Sequence, residues 1–220
     1  MSKHQILLHE KIVVATKNVG KVKEFAHALQ KLGKETLSLI DYPEIPDIVE
    51  DGDTFAANAR IKAKTTGDAL GVPVLADDSG LRVAALGGDP GVYSARYAGE
   101  NAADSENNEK LVRELKRLFD EGGLEEMGQL ADGSQLLSKA QFVCALALYD
   151  PASGSFIEAE GTVDGIITDH PHGDGGFGYD PLFWVPSLNR GMAEMTKEEK
   201  QQISHRGEAL RKLLPLLEQA

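Results

Sequence analysis

Asp77 and Asp78 stand side by side behind a short apolar run, Val72-Pro73-Val74-Leu75, and ahead of Ser79-Gly80. The run reads as a buried strand that ends at the carboxylates. Open α/β sheets gather their ligands at that end of a strand. Side chains alternate along a strand, so Asp77 and Asp78 should point to opposite faces. One can face a ligand while the other ties down the local backbone. A ligand-facing carboxylate suits two tasks: holding a hard cation such as Mg²⁺ through oxygen, or drawing a proton from water. The same residues also fit a strand end followed by a plain Asp/Ser/Gly turn.

Four further stretches carry groups of similar use. Lys11–Ala15 reads as a buried strand, followed by Thr16-Lys17-Asn18-Val19-Gly20-Lys21 and then by Val22, Phe25, Ala26, Leu29 and Leu32 at helical spacing. A loop entering a helix presents backbone N–H groups to an anion, and Lys21 adds a charge there. The pattern is not a Walker A loop, because Val22 follows Lys21. Asn58 and Lys62 are four apart and share a helix face, which is otherwise an ordinary solvated face. His170–Asp180 places four glycines beside Phe177 and Tyr179. Such a loop allows close backbone approach to a ligand, and its rings can stack on a planar group. His170 and His172 lack the further His or Cys that a metal centre built on them would need. Finally, Ser204-His205-Arg206-Gly207 breaks two helical segments and supplies donors beside Lys200.

The elements that must position these groups follow in chain order. Residues 1–10 read as a loose extension. Glu35–Ile40 is a second strand, Asp41–Asp53 a loop, and Thr54 or Asp53 caps the helix that carries Asn58 and Lys62. Asp104–Asp120 forms an amphipathic helix, and residues 121–138 read as a flexible insertion. Gln141–Tyr149, Ser155–Gly161 and Thr162–Thr168 read as sequential strands, the first two joined by the turn Pro151–Gly154. Thr196 and Glu199 form a capping-box pattern, and a last helix buries Leu210, Leu213, Leu214 and Leu217. At 220 residues the chain suits one large domain or two small lobes. Its net charge of −12 argues against polymeric nucleic acid as a partner, since phosphate backbones demand a basic face. No apolar run has the length of a membrane span. The one cysteine, Cys144, excludes an internal disulfide framework, and these features together favour a cytoplasmic protein.

The pieces jointly suit a ligand with an anionic end and a flat polar end, as a nucleoside triphosphate has. Five segments resemble the signatures of the inosine triphosphate pyrophosphatase family, the non-canonical purine nucleotide pyrophosphatases that cleanse the nucleotide pool. They are Thr16-x-Asn18-x-x-Lys21, Ala76–Leu81, Gly91–Tyr97, Gly176–Pro181 and Ser204–Gly207, in the family's order across about residues 11–217.

The resemblance implies an elongated, mixed and twisted β-sheet flanked by helices, with two lobes, a central cleft and a homodimer. It covers the chain as a single domain. It implies hydrolysis of ITP, dITP and XTP to the monophosphate and pyrophosphate with Mg²⁺. Thr16, Lys17, Asn18, Val19, Gly20 and Lys21 would bind phosphates, with Asn58 and Lys62 beside them. Asp78 would accept the proton and hold the metal with Glu50, and Ser79 would touch substrate. Phe177, Gly178, Tyr179, Asp180, Lys200, His205 and Arg206 would hold base and sugar. A 6-oxo purine could accept a hydrogen bond from His205, where the amino group of adenine would meet donor against donor. Lys17 departs from the family's usual small residue, and the 121–138 stretch is longer than usual. The alternatives are a Maf-like pyrophosphatase of other specificity and a nucleotide-binding regulator without turnover.

Overall fold

The computed structural model describes residues 10–30 and 32–218, without the side chains of Lys197 and Glu218. The N-terminal extension therefore lies almost wholly outside the described residues. The seven strands are β1 (Lys11–Val14), β2 (Glu35–Ser38), β3 (Val74–Val83), β4 (Leu136–Asp150), β5 (Ser155–Thr168), β6 (Phe183–Val185) and β7 (Arg190–Gly191). The helices are α1 (Val19–Gln30), α2 (Phe55–Leu70), α3 (Asp104–Asp120), α4 (Lys197–Ile203) and α5 (His205–Glu218). One sheet runs β2-β1-β3-β4-β5-β6-β7. It is mixed: β1 pairs parallel with β2 and β3, and β6 pairs antiparallel with β5 and β7. The parallel strands are the ones separated by helices, because a parallel return needs a long crossover.

The chain divides into two compact units. The first comprises residues 1–78, 144–161 and 206–220, the second residues 79–143 and 162–205. The boundary falls between Asp78 and Ser79, inside β3. In the first unit Ile12, Val14 and Leu75 pack with Phe25 and Leu29 of α1, Cys144, Leu146 and Leu148 of β4, and Ala209 and Leu213 of α5. In the second, Leu81 and Val83 pack with Leu111 and Leu115 of α3, Phe142, Ile167, Phe183 and Met192. Burial of this kind stabilises by roughly 25 cal/mol per Å² of apolar surface.

Two expectations need correction. Asp77–Gly80 is not a turn after a strand: β3 continues through it to Val83. Turn chemistry is a local preference. It yields here because the polar side chains of Asp77 and Asp78 find partners on other elements. Ser155–Gly161 and Thr162–Thr168 are likewise one strand, β5. Of the 121–138 stretch, Leu136–Ser138 belong to β4. The rest is turns tied by hydrogen bonds from Leu130 N–H to the Ser134 carbonyl (2.9 Å) and from Gln135 N–H to Asp169 Oδ1 (2.8 Å).

Candidate active site

In the first unit, β1 delivers the chain into the Thr16–Lys21 segment, whose loop ends at Asn18 and whose Val19–Lys21 already belong to the first turn of α1. Asn18 N–H donates to Thr16 Oγ1 at 3.1 Å, and Lys21 N–H donates to Asn18 Oδ1 at 3.1 Å. Asn18 thus caps the helix in the usual way of a short polar side chain. The Val19 side chain, at the first position of α1, is exposed. Lys17 does not turn into the loop. Its ammonium pairs with Asp47 at 2.6 Å, both side chains at least half exposed. Lys21 reaches the other way, to Asp77 Oδ2 at 2.7 Å.

Asp77 and Asp78 point to opposite faces of β3, as alternation requires, and their surroundings differ. Asp77 is 1% exposed and lies between Lys21 and Arg206, whose Nε is 3.8 Å away. Burial would raise its carboxyl, but Lys21, Arg206 and Lys62 outweigh that and hold it well below the usual carboxylate range. Arg206, itself buried, also donates to Glu24 of α1 at 2.9 Å. Arg206, implied by the resemblance to hold base and sugar, pairs here with Asp77 and Glu24.

Asp78 faces α2 and the acidic loop. Asn58 Nδ2 donates to Asp78 Oδ2 at 3.0 Å while Asn58 Oδ1 accepts the Gly52 N–H at 2.8 Å. Asn58 is 1% exposed, so its face of α2 is not a solvated one. Gly52 is needed at this approach, because a Cβ there would come within 2.8 Å of Asn58 Oδ1. Lys62 Nζ lies 2.9 Å from Glu50 and 3.8 Å from Asp78. Burial raises the Asp78 carboxyl above its ordinary value, with Glu50 and Asp77 adding to it, against Lys62 and Asn58. Two neighbouring carboxylates are thus pushed apart, Asp77 fixed as an anion and Asp78 made more basic. Such separation marks which group can take a proton.

In the second unit, Ser79 is half-buried in β3. Gly176–Asp180 forms a tight loop held from behind. Asp180 Oδ2 accepts the Phe177 N–H at 2.9 Å and pairs with Lys200. Lys200 Nζ also lies 5.3 Å from the Phe177 ring centre. Phe177 is 54% exposed, an uncommon state for a phenyl ring. Tyr179 is buried, and its hydroxyl donates to the Ser94 carbonyl at 2.8 Å. His205 is buried and stacks on Phe142, ring centres 5.1 Å apart.

A family profile described as the Ham1 family matches residues 12–216. The chain belongs to the Ham1 family. It is 49% identical over 205 residues to a dITP/XTP pyrophosphatase of Geobacillus kaustophilus, covering 93% of this chain and 92% of that protein. A solved HAM1 protein from Coxiella burnetii is 38% identical with a TM-score of 0.84, covering 96% of this chain and 100% of that one. The Staphylococcus aureus Ham1 protein is 40% identical with a TM-score of 0.80, covering 95% and 98%. The resemblance drawn from the five segments is borne out, as is the α/β class with a mixed sheet, and the Maf-like alternative falls.

Several side chains that hold the candidate site residues of this Ham1 chain are not visible as such in the sequence. Asp77 reads there as a local backbone tie, and Glu24 carries no signal. Ser94 lies inside the Gly91–Tyr97 segment and explains part of it: its hydroxyl accepts the Leu81 N–H at 2.8 Å and donates to the Gly91 carbonyl at 2.6 Å. Asp104 and Asn108 of α3 stand out in the sequence only as members of an amphipathic helix. Their spacing of four was the available signal, the same that singled out Asn58 and Lys62. Among the described residues no cluster of three or more His, Cys, Asp or Glu forms a metal centre. Glu50 and Asp78 alone still fit Mg²⁺, which is commonly held by one or two carboxylates with substrate phosphates and water filling the rest.

Proposed function

We propose that this Ham1 chain hydrolyses dITP, XTP and ITP between the α and β phosphates, releasing pyrophosphate and the nucleoside monophosphate. The observation that carries the reading is Asp78. It is a carboxylate made more basic by burial and flanked by Asn58, Lys62 and Glu50. It sits in a chain about half identical to a protein named dITP/XTP pyrophosphatase.

Phosphoanhydride hydrolysis needs positioning and charge neutralisation more than covalent help. The Thr16–Lys21 loop offers backbone N–H groups at the start of α1, where the helix end favours an anion. Lys21 and Lys62 add positive charge. Asp77 keeps the Lys21 ammonium in place, and an ammonium with three donors can hold Asp77 and still reach a phosphate oxygen. Asp78 orients the attacking water and takes its proton, and Asn58 fixes the carboxylate that does so. Glu50 and Asp78 would hold Mg²⁺, which when bound neutralises charge on the phosphate oxygens. The Phe177 face suits stacking on a purine ring, and Lys200, Asp180 and His205 supply polar neighbours for its substituents. A homodimer belongs to the same proposal.

The test is pyrophosphate release with Mg²⁺ from dITP, XTP, ITP, GTP, ATP and dTTP. A kcat/KM for the non-canonical purines about a hundredfold above that for GTP and ATP, near 3 kcal/mol of transition-state binding, supports the reading. Binding without turnover would instead indicate a regulator, and a preference for dTTP another specificity.

A further inference from the structure

The apex of the Gly176–Asp180 loop is gripped by the first turn of α3. Asp104 Oδ2 accepts the Gly178 N–H at 2.6 Å, and Asn108 Nδ2 donates to the Gly178 carbonyl at 2.9 Å. Both polar groups of one backbone residue are therefore claimed by side chains four apart on one helix face. Gly178 has φ +61°, a left-handed conformation that glycine adopts without the penalty a side chain brings. It lies between Phe177, whose ring is exposed, and Tyr179, whose ring is buried. Asp104 and Asn108 thus hold the two peptide units that flank Gly178, the first of which joins it to Phe177.

Asn108 bears a cost for its place. Its Oδ1 is buried without a hydrogen-bond partner among the described residues. Turning the amide over would only set oxygen against the Gly178 carbonyl. An unsatisfied buried oxygen is unfavourable, so the side chain is poorly explained as a generic stabiliser of α3. The helix is otherwise well made: Glu106 Oε2 accepts the Ala103 N–H at 2.7 Å, and Asn107 accepts the Ala98 N–H at 2.7 Å and donates to the Ala95 carbonyl at 3.3 Å. Leu111 and Leu115 anchor it in the core. Its opening turn is thus a rigid mount.

We propose that Asp104 and Asn108 are positioning residues for recognition of the purine base, acting through Gly178 to hold Phe177 in its stacking orientation. The proposal rests on the reading of the Gly176–Asp180 loop as the base-binding loop. Neither side chain is among the residues proposed to bind the phosphates. Their loss should weaken binding of the base and leave the chemical step alone.

The experiment compares Asp104→Ala/Asn108→Ala with Asp104→Asn, which keeps an acceptor for the Gly178 N–H but drops the charge. KM for dITP should rise about tenfold in the double variant, the scale of one hydrogen bond to a charged group, with kcat little changed. Asp104→Asn, which keeps the hydrogen bond without its charge, should fall between the double variant and wild type. Inhibition by inorganic triphosphate, which has no base, should be unaffected. Amide hydrogen exchange at Gly178 should quicken in Asp104→Ala and not in Asp104→Asn, a readout independent of turnover and available if the double variant folds poorly. Wild-type KM in the double variant, an equal loss of inorganic triphosphate binding, or Asp104→Asn behaving like Asp104→Ala would each overturn the proposal. A wild-type enzyme inactive on dITP and XTP would strike the function itself; in that case unchanged Gly178 exchange in Asp104→Ala would still refute the grip.

Discussion

Replacing Asp77 or Asp78 by asparagine removes one negative charge and almost no volume from neighbouring positions of β3. The surroundings make the two substitutions differ in sign. Asp77 is the buried counter-ion of Lys21 at 2.7 Å and of Arg206 at 3.8 Å. Asp77→Asn leaves two largely buried cations short of an anion, and removing one partner of a buried pair costs about 3–5 kcal/mol. Arg206 keeps Glu24 at 2.9 Å, which places the cost toward the lower end. For a chain of this length each kcal/mol moves the melting temperature by roughly 2–4 °C, so Asp77→Asn should melt roughly 6–12 °C lower. Asp78 is the reverse case. Its ionised form is penalised by burial and by Glu50 and Asp77, while an asparagine there can still accept from Asn58. Asp78→Asn should therefore melt no lower than wild type, and a few degrees higher in the absence of divalent cation. Its turnover should fall about 10²–10⁴-fold, the span attributed to a lost general base. Thermal melts at pH 7 with chelator, beside pyrophosphate release with Mg²⁺, measure both quantities on the same preparations. If Asp78→Asn melts as low as Asp77→Asn, or keeps wild-type turnover, the division of roles between the two carboxylates is wrong.

Lys21→Ala should raise KM for dITP and lower kcat together, because a phosphate-binding cation holds the bound substrate and holds the charge that develops in the transition state more strongly still; unchanged steady-state kinetics would remove the loop from phosphate binding. Gly176 has φ +80°, and a Cβ there would collide with the Asp180 carboxylate. Gly176→Ala should displace Asp180 from Phe177 N–H and Lys200 and raise KM about tenfold, the scale of a lost hydrogen bond to a charged group; a normal KM would show that the loop tolerates the shift. The depressed Asp77 carboxyl also carries a pH signature. Its folded value lies below the unfolded value of about 3.9, so its stabilisation is complete above that pH and is lost as pH falls through the folded value. Melting temperature should drop more steeply below pH 4 in wild type than in Asp77→Asn, and parallel curves would refute the linkage.

Much of this protein is local and was legible as such. Helix α3 runs over Asp104–Asp120 as its apolar spacing predicts, because a helix closes its hydrogen bonds within four residues. Thr54 caps α2, with its hydroxyl accepting the Ala57 N–H at 3.1 Å. The capping box at Thr196 and the break at Ser204 are likewise local. The five segments, each a short run with a definite chemistry, sufficed to indicate the family. What escaped was settled by pairings between distant parts of the chain. Asp77 meets Lys21 from 56 positions away, and Arg206 lies farther along still. Neither distance leaves a periodic trace, so Asp77 reads from the sequence as local scaffolding and its pairing with Arg206 is invisible there. The turn expected at Asp77–Gly80 is a strand because ladder pairing and ionic partners outweigh the preference of Asp, Ser and Gly for bends. The grip of Asp104 and Asn108 on Gly178 spans 74 and 70 positions. Local sequence determined which elements form and which side chains they present; only the packing of those elements decided which of two adjacent, identical carboxylates is held as an anion and which is left to take a proton. The physical reason is that a carboxylate's proton affinity depends on burial and on the charges within a few ångströms, and here those charges arrive from elsewhere in the chain.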